Sequence, residues 1–155
     1  MGMWRVGALV VALVVVGFVV AQAVSDDAPG GDRSRAVVAH VVDGDTVEIE
    51  SGEHVRLIGV DTPEVGACGY ATATARMRRM VEGRTVVLVN PDSVQDVDTY
   101  GRLLRYVDVD GRDAGLAQIR AGARARYDSR DGFDPHPRED RYHRAELDHH
   151  PACAR

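Results

Sequence analysis

The sequence predicts a mainly β fold with added helices: a small five-stranded barrel in the order β-β-β-α-β-β-α-α. Three observations point there. Short apolar or period-two segments recur through the chain, separated by turn signals rich in Gly and Asp. Three of them precede the first helical stretch and two follow it, which is not the regular alternation of a parallel sheet. The 155 residues, 45% apolar and 28% charged, suffice for one folded core and little more.

The elements are justified in order. Ala36 to Val42 and Thr46 to Glu50 read as strands on either side of Asp43-Gly44-Asp45; Val47 and Ile49 alternate with Glu48 and Glu50, the period of a half-buried strand. Ser51-Gly52-Glu53 is a hairpin loop and Val55 to Val60 the return strand. Ala71 to Val81 reads as a helix with Ala73, Met77, Met80 and Val81 on one face and Gly83 as its stop. Arg84 to Val89 is the fourth strand and Leu103 to Val109 the fifth, ended by Asp110-Gly111. Asp113 to Ala121 is a short helix stopped by Gly122, with Leu116 and Ile119 inward. Pro137 to about Asp148 is a last helix with Pro in its first turn. This order suits the oligonucleotide-binding (OB) barrel, and a fold alone does not give a function.

Residues 1–24 stand apart. Behind Arg5, Val6 to Val20 carry no charged or uncharged polar side chain, the pattern of an export signal, and Ala21-Gln22-Ala23 supplies the small-x-small pattern of a cleavage site. Extended to Val24, the same run reaches the roughly 20 residues needed to cross a bilayer. A cleaved signal peptide and a retained membrane anchor are both open, and in either case the domain faces outward. Residues 25–35 are polar with Gly and Pro and read as a linker. The folded domain is expected over 36–155.

Composition excludes several classes. The net charge is -5, which argues against a protein that binds nucleic acid by bulk charge alone. All 19 basic residues are Arg, so a lysine Schiff base and a Walker-type phosphate lysine are absent. Two Cys are too few for a disulfide-dense mini-protein or a four-thiolate zinc site.

Chemistry-bearing residues gather at three places. Asp43-Gly44-Asp45-Thr46 sets two carboxylates around a sharp turn. Arg56 is followed by Val60-Asp61-Thr62-Pro63-Glu64, where one carboxylate ends an apolar strand and a second follows a stiffening Pro. Asp61 at the barrel rim is placed to share a cation with Asp45, and oxygen-only donors suit a hard ion such as Ca²⁺. Asp98-Thr99-Tyr100-Gly101-Arg102 is a turn that sets an Arg at the start of a strand. Each segment alone reads equally as a solvated turn. The run from Asp96 to Val107 echoes an EF-hand loop but ends on Val107, which cannot be a bidentate ligand.

Together, VVDGDTVEI, VRLIGVDTPE and DTYGRLL resemble the staphylococcal-nuclease-like (thermonuclease) family, in order and with compatible gaps from about Val37 to Ala145. The resemblance implies a phosphodiesterase acting on DNA and possibly RNA with little sequence preference. It implies Ca²⁺ held by Asp45, Asp61 and the backbone carbonyl of Thr62, with Asp43 behind them. It gives Glu64 the role of activating or positioning the attacking water, and Arg56 and Arg102 the grip on the scissile phosphate. Tyr100 and Tyr127 fall where the family places tyrosines near the bound nucleotide. The segment Val65 to Tyr70 is shorter than the corresponding loop of the founding member, and Thr99 stands where that member has Lys. Both departures bear on phosphate affinity, not on reaction class. A non-catalytic nucleic-acid-binding barrel is the alternative, and a barrel that binds a sugar or a protein is a third reading. Nothing demands more than a monomer.

Cys68 and Cys153, an even pair in an exported chain, read as a disulfide. Closing a loop of roughly 85 residues stabilises by about 4–5 kcal/mol in the chain-entropy model. His136 is expected to open the last helix, His143 to lie on its face, and His149 and His150 to be solvated.

Overall fold

The computed structural model describes residues 31–147. The apolar leader, its cleavage or anchoring, residues 25–30 of the expected linker, Cys153 and the His149-His150 tail lie outside the described residues. Among the described residues no helix is long and apolar enough to cross a membrane.

Strands β1 (Gly31–Val41), β2 (Thr46–Ile49) and β3 (His54–Leu57) form an antiparallel meander. The two-residue β4 (Val60–Asp61) follows, then helix α1 (Tyr70–Val81) and strands β5 (Thr85–Pro91) and β6 (Leu103–Val109). The chain continues through β7 (Arg112–Asp113), α2 (Ala114–Ile119), β8 (Arg124–Ala125) and α3 (Glu139–Leu147). The strands run β3-β2-β1-β5-β6, and a parallel pairing of β3 with β6 closes the circle. The predicted five-stranded barrel with helices is the observed fold.

Three differences from the predicted elements have physical reasons. Strand β1 starts at Gly31 rather than Ala36, because five residues of the expected linker pair with β5, from Gly31 opposite Pro91 to Arg35 opposite Val87. Asp32 to Arg35 are exposed, so no apolar alternation marked them as a strand. The return strand breaks at Gly59, whose φ of +71° is open to glycine at little cost, and its end pairs with β8 instead of β2. The last helix begins at Glu139 rather than Pro137.

The core is the barrel interior. Val38, Val41, Val47, Val55, Leu57, Val86, Leu88, Val107 and Val109 are buried. Each contributes about 1.5–3 kcal/mol by removal from water. Helix α1 seals one side with Ala73, Met77 and Val81, spaced four residues apart on one face, with Met80 partly buried beside them. Gly83, at φ +72°, ends the helix as expected. Asp113 caps α2, its carboxylate accepting from Leu116 N at 3.0 Å.

Helix α3 docks through an aromatic cluster. Tyr142, 1% exposed, meets Tyr106 and His136 edge-to-face. His136 is buried and shares a hydrogen bond with the Tyr106 hydroxyl through Nδ1 at 2.9 Å, so it braces the helix as well as leading into it, its carbonyl accepting from Glu139 N at 2.9 Å. Burial pushes its imidazole below the usual histidine range. A Cβ on Gly59 would stand 2.3 Å from His136 Nε2. Gly59→Ala is therefore expected to cost about 2–4 kcal/mol, from left-handed backbone strain plus overpacking, read as a lowered midpoint in urea unfolding.

Candidate active site

The turn between β1 and β2 delivers Asp45 to one end of the barrel, where it is buried. Its carboxylate is held on both sides. Oδ2 accepts from Thr62 N and Thr62 Oγ1, each at 2.8 Å. Oδ1 accepts from Thr46 Oγ1 at 3.2 Å and lies 3.2 Å from Arg56 Nε. Strand pairing explains the meeting, since Thr46 is opposite Arg56 across β2 and β3. Gly44 must be glycine, because a Cβ there would stand 2.6 Å from Thr62 Oγ1. Asp43 closes the turn by accepting from Asp45 N at 3.0 Å. Burial raises the Asp43 carboxyl above its usual range.

Arg56 is a buried cation. Beside Asp45, its Nη1 donates to the carbonyl of Leu57 at 2.8 Å. Its guanidinium also stacks on the Tyr127 ring, 5.3 Å from the centroid. Tyr127 holds a left-handed backbone at φ +59°, which costs a non-glycine residue about 1–2 kcal/mol. The Tyr127 N–H donates to Asp131 Oδ2 at 2.7 Å, which helps to fix that conformation. The ring is half exposed and meets Phe133 edge-to-face at 5.7 Å.

Asp61 ends β4 opposite Arg124. Burial raises its carboxyl; Arg56 opposes the rise, and the like charges of Asp45 and Glu64 add to it. Glu64 follows in an exposed segment, and its carbonyl accepts from Ala67 N at 2.9 Å. Four acids and a buried Arg thus act on one another at one barrel end.

Arg102 belongs to a second cluster. Its Nε and Nη2 both lie 2.7 Å from Asp98 Oδ2, and its guanidinium stacks on Tyr100 at 5.3 Å. Tyr100 is 84% exposed. Burial works against the Asp98 charge, yet hydrogen bonds from the Arg102 backbone and side chain and from Tyr100 N hold its carboxyl below the usual range. The parallel register levels Arg56 with Leu104, and Arg102 lies just ahead of β6, in the turn that leads into it.

The structure therefore brings together Asp45, Thr62, Arg56 and Tyr127 by direct contact, with Asp61 and Glu64 in electrostatic reach. Arg102 and Tyr100 form a separate pair, anchored on Asp98. Cys68 is exposed just beyond; among the described residues no cysteine is free, and Cys153 lies outside them.

Two groups escaped the sequence reading. Gln118 is fully buried on α2 and donates through Nε2 to the carbonyl of Gly44 at 2.6 Å. Asp128, also fully buried, pairs with His143 Nε2 at 2.6 Å and with Arg130. Asp128, Glu139 and His143 form the one group of three His, Cys, Asp or Glu side chains among the described residues whose ligand atoms lie within 4.8 Å of one another. Glu139 in turn accepts from Ser129 Oγ and N. His143 and Arg130 already balance the buried Asp128 charge, so the group reads as a clamp between α3 and the loop before it. Neither group has a sequence signal, since an Asp before a helix or a Gln within one is commonplace.

Fold and site define a closed OB barrel with a carboxylate–arginine cluster at one end. The chain belongs to the staphylococcal nuclease homologue family, which it matches over residues 54–148. The turn bearing Asp43 and Asp45 lies ahead of that stretch. The chain is 33% identical over 90 residues to a protein named as an uncharacterised endonuclease in Escherichia coli, and equally to its counterpart in Escherichia coli O157:H7, covering 56% of each chain. To a thermonuclease of Staphylococcus intermedius it is 34% identical over 117 residues, 65% of this chain and 67% of that one. The match thus spans little more than half the length of the endonuclease relatives.

Proposed function

We propose that this chain is an exported, Ca²⁺-dependent nuclease that hydrolyses phosphodiester bonds of DNA, with RNA as a second substrate, and acts as a monomer. The observation that carries the reading is the buried Asp45–Arg56–Thr62 cluster in a chain of this family, with Arg102 held by Asp98 at the turn ahead of β6.

The donor set fits a hard cation. Asp45, Asp61 and the Thr62 carbonyl offer only oxygens, and the mutual repulsion of Asp45, Asp61 and Glu64 is what a dication relieves. Asp45 Oδ1, with two contacts at 3.2 Å, is its looser side. These three residues would hold Ca²⁺, which when bound supplies positive charge to the phosphate and to the attacking water.

The chain's own residues do the rest. Arg56 and Arg102 each present a planar fork that can hold two phosphate oxygens, a geometry that lysine lacks. As charge grows on those oxygens, the two guanidiniums stabilise it. Glu64, exposed at the cluster's edge, orients the attacking water or accepts its proton. Tyr127 and Tyr100 steady one guanidinium each and offer aromatic faces beside the phosphate. Local charge, rather than the net charge of -5, carries binding.

Export rests on the apolar leader, with the cleaved and anchored forms both compatible. A Cys68–Cys153 disulfide is supported by the absence of a free thiol at Cys68 in a chain with two Cys. It would tie the tail to the segment that follows Glu64.

Single- and double-stranded DNA, and RNA, incubated with the full chain are expected to be degraded with Ca²⁺ and to remain intact in chelator. Intact substrate in every lane, from folded protein, overturns the enzyme reading. Salt-dependent binding in those lanes would establish a non-catalytic nucleic-acid binder instead.

A further inference from the structure

A position as buried as Gln118 ordinarily holds an aliphatic residue, because an amide withdrawn from water costs free energy unless every polar atom is paired. Here the pairing is nearly complete. Nε2 donates to Gly44 O at 2.6 Å and to Ala73 O at 2.9 Å, and Oε1 accepts from Arg76 Nη1 at 3.2 Å. The orientation of the amide is unambiguous: two carbonyls can only accept, and a guanidinium can only donate. The carbonyl of Ala73 belongs to the interior of α1, where the amide of Met77 faces it. Gly44, in the bend between β1 and β2, has no such helical partner.

Gly44 stands between the two acids of the turn. On one side the Thr62 side chain packs so closely that no Cβ fits, and the same Thr62 donates twice to Asp45. From α2, Gln118 holds the Gly44 carbonyl. The turn is therefore fixed at two points, one from the strand end that carries Asp61 and one from helix α2.

We propose that Gln118 is a positioning residue for the cation-binding turn, holding Gly44 so that Asp43 and Asp45 keep the geometry a divalent cation requires. The inference rests on the Ca²⁺ reading above. Residues that orient ligands from behind commonly govern metal affinity by about 10–100-fold when replaced. Without its donors the Gly44 carbonyl loses its anchor, and the turn is free to trade the cation geometry for one that satisfies that carbonyl elsewhere.

The test uses the full chain and Gln118→Met, which keeps the length of the side chain and removes its donors. Ca²⁺ binding is followed by calorimetry, and Tb³⁺ binding by luminescence, at a temperature where circular dichroism shows each protein folded. The dissociation constant of Gln118→Met is expected to rise about 10-fold or more. Arg76→Met, which removes only the contact to Oε1, should give a smaller rise. A purely structural role would lower the unfolding temperature of Gln118→Met and leave the affinity of its folded form unchanged, and that result overturns the inference. If Gln118→Met does not fold, Gln118→Glu serves in its place, since it keeps the Arg76 contact and loses the donors. A wild-type chain that binds neither ion overturns the Ca²⁺ reading itself, an outcome distinct from equal binding by wild type and variant.

Discussion

Glu64→Gln is expected to lower turnover on DNA by on the order of 10²-fold or more, with thermal unfolding close to that of the wild type. The side chain is exposed, in a segment that contributes nothing to the core, so its charge is dispensable for folding. The substitution keeps shape and removes the charge that acts on Asp61. Arg102→Ala should lose activity on the same scale through missing donors to the phosphate. Its ion pair with Asp98 is partly exposed, and the same carboxylate still accepts from Tyr100 N at 2.9 Å, so the turn survives the loss. Steady-state kinetics beside denaturant unfolding checks both variants. A wild-type rate in either removes that residue from the mechanism.

Much of this arrangement was legible in the sequence because it obeys local rules. Val47 and Ile49 alternate with acids, Gly83 ends α1, and Asp43-Gly44-Asp45 is a turn by composition. The boundaries that moved are those where exposed backbone, not side-chain pattern, makes the element. Ser34 and Arg35 join β1 through β5, a partner some fifty residues away that no local signal reports. Gly59 breaks the return strand at φ +71°, and His136, from the segment ahead of α3, fills the space beside it, a neighbour that no local signal reports.

The site divides in the same way. Types and order of the carboxylate and guanidinium residues could be read from three short motifs. Which of them touch could not. Arg56 binds Asp45 because β2 and β3 pair Thr46 with Arg56, while Arg102 is drawn to Asp98 by its own turn. Gln118 lay hidden because the carbonyl it holds is 74 residues away.

Asp45→Asn should damage stability and function together, by a larger margin than any other single change at the site. The carboxylate accepts three hydrogen bonds, two on Oδ2 and one on Oδ1, and Oδ1 also pairs with Arg56 Nε at 3.2 Å. An amide offers one acceptor and one donor group. If its nitrogen replaces Oδ2, it faces the Thr62 N–H; if it replaces Oδ1, it faces Arg56 Nε. Either orientation sets donor against donor in a buried place, and Arg56 loses the carboxylate it pairs with. Breaking a buried pair from one side typically costs about 3–5 kcal/mol. The expectation is a loss of that size in urea unfolding, and a loss of Ca²⁺ binding by calorimetry, because a neutral amide is a weaker ligand than a carboxylate. Arg56→Met removes the cation and leaves Asp45 with three donors, so it should cost less. In the double variant the buried Arg56 charge that has lost Asp45 is absent, and the combined cost should fall below the sum of the two single changes. Strict additivity would mean that Asp45 and Arg56 do not depend on one another in the folded chain, against the 3.2 Å contact between them.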